Sequence, residues 1–287
     1  MEWPPLADIT LSYHTLSGST HGERPLYPLR ERALAAQRAG MTSVGWCHMD
    51  YRSYIQLRDD TDWFFDNGMR ASEGEWLELS QPDVMESTLT FIMGQAFGAD
   101  RINIGWCSPE QPDIPELVSQ VRDLARRAAD FGQTLAFEPV AFGALGDIRD
   151  VQKIVAEAGM ANLGTLLDAW QLARSYWSAD VTDVDVSMAK GIQLSGVSYP
   201  DPAPGYPDGL FYEAQHDRRL PDEGSFPVRE WLKNLIDAGA DTTVACEVIS
   251  DEMRGMSLDA AAEAVAASLG NLLATQPYFV RQPGLAV

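Results

Sequence analysis

Basic residues, cysteines and histidines are all scarce in this chain of 287 residues, and each shortage removes a class of function. Lysine and arginine together number 21 against 42 aspartates and glutamates, a formal charge of −21. So acidic a chain is a poor partner for nucleic acid, whose binding rests on clustered cations that displace counterions. The three cysteines, Cys47, Cys107 and Cys246, form no C-x-x-C pair. Each ends an apolar run, where a buried free thiol is expected rather than a disulfide. No apolar stretch approaches the ~18 residues of a membrane span. The opening Met1-Glu2-Trp3-Pro4-Pro5 has neither the basic nor the apolar part of a signal peptide. A cytoplasmic protein with no membrane partner is expected. Nucleotide signatures are missing as well: no G-x-G-x-x-G follows the first apolar run, and no G-x-x-x-x-G-K-[ST] occurs anywhere.

What the chain does have is a 45% hydrophobic content arranged in short runs with helical segments between them. Runs at 9–11, 43–46, 75–79, 102–106, 135–138, 163–168, 192–194 and 243–247 read as strands. Helical spacing is expected over 29–39, 83–97, 114–131, 147–158, 228–238 and 258–274, with a weaker helix at 172–176, and several of these stretches end on a glycine. Residues 51–66 read as an aromatic, irregular stretch. Strands alternating with helices imply parallel βαβ units with right-handed crossovers. Eight such units close naturally into a (β/α)8 TIM barrel, a single α/β domain over 1–287 with 276–287 as a C-terminal tail. The doubly wound open sheet is the competing architecture, because the third strand has the weakest signal. A Pro- and Gly-rich piece at 199–209 reads as a long barrel loop.

Polar residues fall at the ends of these apolar strands. Glu138 ends the fifth, Asp168 the sixth and Glu247 the eighth, and Gln193 lies in the seventh. In a barrel the carboxyl ends of the strands carry the active site. Three carboxylates meeting there without a cation would repel one another, whereas one divalent metal satisfies all of them. An oxygen-donor set favours Mn²⁺ or Mg²⁺ over Co²⁺ or Zn²⁺. The competing interpretation, that each residue caps a helix or pairs with an arginine, weakens as four successive strands repeat the pattern. Isolated acidic pairs elsewhere, such as those between Glu73 and Glu78, are expected on solvated faces.

The order strand-end Glu, strand-end Asp, ligand on the next strand and strand-end Glu resembles the xylose isomerase-like barrels. The likeness is specific at Leu135 to Pro139, Leu166 to Asp168, Arg218-Arg219-Leu220-Pro221-Asp222-Glu223-Gly224 and Ala245-Cys246-Glu247. That group includes sugar-phosphate isomerases and epimerases, ketose 3-epimerases, inosose dehydratases and 3-dehydroshikimate dehydratases. The resemblance implies that Glu138, Asp168, Gln193 and Glu247 bind the metal, that Arg219 approaches substrate oxygens, and that Glu138 and Glu247 move protons on opposite substrate faces. Three positions depart from the group's usual pattern: Gln171 where it has His, Gln193 where it often has His, and Pro221-Asp222-Glu223-Gly224 in place of Pro-Gly-x-Gly. Gln193 agrees with the dehydroshikimate dehydratase branch.

Only four histidines occur, which argues against the His-rich apurinic-endonuclease branch. His14 and His48 follow the first two strands and are candidates to face substrate or serve as base. His216 precedes the arginine pair and is a candidate to assist catalysis, and Trp106 is a candidate aromatic wall for a ring-shaped polyol. The expected function is a divalent-metal-dependent isomerase or epimerase acting on a polyhydroxylated keto substrate through an enediolate. A dehydratase of the inosose or 3-dehydroshikimate type and a non-catalytic binding relative are the alternatives. The sequence leaves phosphorylation of the substrate and homo-oligomerisation open.

Overall fold

The computed structural model describes residues 3–20, 22–51, 53–176, 178–198 and 209–274. Eight parallel strands close into one barrel: β1 (Thr10–Leu11), β2 (Ser43–Cys47), β3 (Arg70–Glu78), β4 (Arg101–Gly105), β5 (Leu135–Glu138), β6 (Leu163–Asp168), β7 (Ala189–Leu194) and β8 (Val244–Cys246). β1 pairs with both β2 and β8, which removes the open-sheet alternative. The strand residues are buried almost throughout, because helices cover the outside and side chains fill the inside.

Local chemistry sets the helix ends. Asp83, Asp113 and Asp147 accept backbone N–H bonds at the starts of Val84–Phe97, Ile114–Ala129 and Ile148–Ala158. Gly98 and Gly159 close two of these helices at φ 64° and 65°, a left-handed conformation that costs glycine little. The apolar faces of the helices pack on the strands around Phe91, Val121, Ile148, Trp231 and Val265, all fully buried. Among the described residues no helix is long and apolar enough to cross a membrane.

Two expectations change. Residues 51–66 are not irregular: Ser53 caps a helix over Tyr54–Asp66, and Phe64 anchors it against Phe97 at a 5.4 Å ring separation. The third strand starts at Arg70 rather than 75, so Glu73 lies inside it. Short helices at Tyr13–Leu16, Leu210–His216 and Asp251–Gly255 sit on the carboxyl-end rim. The long loop expected at 199–209 falls at 199–208 outside the described residues, as does the tail at 276–287.

Candidate active site

Glu138 and Asp168 are the last residues of β5 and β6, and Glu247 immediately follows β8. One oxygen from each of the three lies within 4.8 Å of the others, and all three side chains are buried. Gln193 stands in register between Asp168 and Ala245, so the barrel places the four expected metal ligands on adjoining strands. Gln193 is 1% exposed, and its Oε1 has no hydrogen-bond partner.

Arg218 enters this cluster. Its Nη1 donates to Asp168 Oδ2 at 3.2 Å and to Glu247 Oε2 at 2.9 Å, while its guanidinium lies 5.2 Å from the Trp170 ring centre. Arg219, the residue singled out in the sequence, points elsewhere: its side chain is 36% exposed and its guanidinium pairs with Asp217 at 2.6 Å. The backbone explains the difference. Arg219 forms an antiparallel bridge with Gly196 and Asp217 forms one with Ser250, so the extended alternation of side chains sends 217 and 219 one way and 218 the other.

The acidic residues of β3 are a correction. Glu73 and Glu75 are 0% and 2% exposed, not solvated. Both lie in the barrel interior opposite Arg101 and Asn103, which alternate on β4 in the same way. Arg101 pairs with Glu73, and Asn103 Nδ2 donates to Glu75 Oε1 at 2.7 Å. Gln193 Nε2 donates to Glu75 Oε1 at 2.9 Å and to Glu73 Oε1 at 3.3 Å. Ser12 Oγ donates to Glu247 Oε1 at 3.1 Å, joining this interior network to the rim. The missed signal was an E-x-E on one strand facing an R-x-N on the next.

His14, on the short helix after β1, is buried and brings a ring nitrogen within 4.8 Å of Glu75 and Glu247 oxygens. The other expected residues stand apart from the carboxylates. His48 faces Glu86 at 3.5 Å, with its pKa held down by burial and by Arg24. His216 bonds Asp251 at 3.0 Å and stacks on Tyr212. Trp106 donates its indole N–H to the Glu110 carbonyl at 3.0 Å. Trp76 takes the wall position instead, together with Val140, Phe142, Phe211 and Ile249. Its ring lies so close over β4 that a Cβ at Gly105 would collide with it. Glu75, Glu138, Glu247, Arg218, Gln171, His14 and Gln215 supply the polar part of this pocket, whose cavity volume is about 80 Å³.

Carboxylates outnumber guanidiniums in this interior. Five carboxylates, Glu73, Glu75, Glu138, Asp168 and Glu247, are buried around two guanidiniums. Arg101 pairs with Glu73, and Arg218 with Asp168 and Glu247, so Glu75 and Glu138 have no guanidinium partner among the described residues. Burial pushes Glu138 well above the usual carboxylate range, and the Asp168 and Glu247 charges add to it. Burial lifts Glu247 to about 7 against the opposing pull of Arg218, and Asp168 is raised for the same reason. Glu138 Oε1 is buried without a partner. A compact set of oxygen donors with excess negative charge fits a hard divalent ion.

A family model described as xylose isomerase-like TIM barrel matches residues 88–272. No curated protein matches by sequence. Among solved structures, the IolI protein with a bound zinc atom superposes with a TM-score of 0.77 at 14% identity, covering 93% of this chain and 98% of that one. A D-psicose 3-epimerase from Clostridium cellulolyticum H10 gives 0.70 at 14% identity, with 92% and 98% covered. The probable 3-DHS dehydratase AsbF from Bacillus anthracis gives 0.69 at 14% identity, with 92% and 99% covered. At these identities the structures share a fold with this chain. The family match spans well over half of the sequence, and the protein belongs to the xylose isomerase-like TIM barrel family.

Proposed function

We propose that this protein is a divalent-metal-dependent isomerase or epimerase of a small polyhydroxylated keto compound. The observation that carries the proposal is the convergence of Glu138, Asp168 and Glu247 within 4.8 Å in a buried pocket held by Arg218. Glu138, Asp168, Gln193 and Glu247 would hold the ion. When bound, it supplies Lewis acidity that makes an enediolate of the substrate accessible.

The chain's own groups do the rest. Arg218 fixes the facing edges of Asp168 and Glu247 and opposes the burial that raises both carboxyls. Glu138 and Glu247, on strands far apart around the rim, can take a carbon-bound proton from one side of a substrate and return it from the other. The apolar wall of Trp76, Phe142 and Phe211 excludes water and covers a ring face. His14 is the alternative base, given its place beside Glu247.

Dehydration is the second reading. It shares the proton abstraction but expels a β-hydroxyl, and Gln193 in the seventh-strand ligand position is the feature that favours it. The test is a panel of keto sugars, inososes and 3-dehydroshikimate offered to Mn²⁺-loaded protein in deuterated water. Incorporation of deuterium with conserved substrate mass otherwise supports isomerisation or epimerisation, and loss of water supports the lyase. No turnover of any of them, with metal bound, overturns both. Glu247→Gln should abolish deuterium exchange while metal stays bound, and persistent exchange assigns the proton to His14.

A further inference from the structure

Gln193 is an ambiguous side chain at a metal site, because only one end of its amide can bind a cation. The interior network resolves the ambiguity. Its Nε2 donates to Glu75 Oε1 at 2.9 Å and to Glu73 Oε1 at 3.3 Å, which leaves Oε1 buried and without a hydrogen-bond partner. Turning the amide over would set its oxygen against two carboxylates. Glu75 is itself held in place: Asn103 Nδ2 donates to the same Oε1 at 2.7 Å, and Asn103 Oδ1 accepts from Arg101 Nε at 3.1 Å. Arg101 in turn pairs with Glu73.

We propose that Glu75 is a positioning residue that fixes the Gln193 amide with its oxygen available to the divalent ion. The proposal rests on the metal site named above, and the acceptor oxygen of Glu75, rather than its charge, is the part that acts. Groups that orient a ligand in this way typically change metal affinity by about 10–100-fold when lost.

Two substitutions separate oxygen from charge. Glu75→Gln removes the charge but keeps an oxygen where Asn103 and Gln193 donate. Glu75→Asp keeps the charge but withdraws the oxygen by one methylene. Calorimetric titration with Mn²⁺, with near-ultraviolet circular dichroism as the check on folding, is expected to show Glu75→Gln within about threefold of the parent and Glu75→Asp weaker by about 10–100-fold. The reverse ranking, or equal affinity in all three proteins, overturns the proposal. A parent protein that takes up no Mn²⁺ overturns the metal-dependent function instead. Should Glu75→Asp not fold, Gln193→Glu serves. It places a stronger ligand at 193 yet faces Glu75 with an acceptor, so affinity is expected to fall and to return in the Glu75→Gln/Gln193→Glu double variant. Tighter Mn²⁺ binding by Gln193→Glu alone overturns the proposal.

Discussion

Deep in the barrel Glu73 has a guanidinium of its own in Arg101, which also reaches Thr243 and Asn103, whereas at the rim Asp168 and Glu247 share the single guanidinium of Arg218 and Glu138 has none among the described residues. The two layers are built of the same residue types at similar burial. They differ in how completely the charges are compensated. In the deep layer the Glu73–Arg101 pair is closed by its own partners and behaves as structure, whereas Glu75 beside it has no guanidinium and is pushed well above the usual carboxylate range by burial and by the charges of Glu247, Glu73 and Glu138. The rim layer keeps raised carboxylate pKa values and unbonded acceptor oxygens, and so stores a cost that a cation can relieve.

The largest expected effect tests the deep layer. Arg101→Met should lower unfolding free energy by about 3–5 kcal/mol, because it strands Glu73 in the interior. Adding Glu73→Met should recover most of that loss. Urea unfolding of both variants measures the difference, and a single variant as stable as the parent would erase the contrast between layers.

The next effect belongs to the rim. A carboxyl whose folded pKa is raised binds its proton more tightly when folded, so its protonated form favours the native state. For Glu247, with an ordinary value of 4.5 and a folded value of about 7, metal-free stability is greatest below about pH 4.5 on this account and falls as pH rises through about 7. The loss from this group is up to about 3 kcal/mol. Saturating Mn²⁺ should flatten the profile between about pH 5 and pH 8 by replacing the proton with a cation. Thermal unfolding across that range, with and without the ion, is the measurement.

Glu138→Leu should separate stability from function. It removes a buried carboxyl that lacks a guanidinium partner, and so is expected to raise metal-free stability by about 1–2 kcal/mol while abolishing stabilisation by Mn²⁺. Equal Mn²⁺ stabilisation in this variant would remove Glu138 from the ligand set. The smallest effect compares neighbours. Arg219→Ala breaks an exposed pair with Asp217 and should shift stability by no more than about 0.5 kcal/mol. Arg218→Met should lower kcat/KM at least tenfold, since it releases Asp168 and Glu247 from their shared donor.

By itself the sequence determined the alternation of strands and helices and the strand ends. A run of apolar residues stopped by one carboxylate puts Glu138 and Asp168 at the ends of their strands because strand direction and strand end are local properties, whereas closure into a barrel was decided by the pairing of β1 with β8. Helix caps at Asp83, Asp113 and Asp147 were equally local, although the helix at Tyr54–Asp66 was hidden by its mixed aromatic and acidic composition. Tertiary structure decided which way the side chains turn. Glu73 and Glu75 could enter the interior only because Arg101 and Asn103 arrive opposite them from β4 and Gln193 from β7. Arg218 rather than Arg219 faces the carboxylates because Gly196 and Ser250 pair with the backbone on either side of it. His48 and His216 follow the elements that carry them, and those elements hand them to Glu86 and Asp251. In each case a side chain's direction was set by partners distant in sequence, and no local pattern encodes such partners.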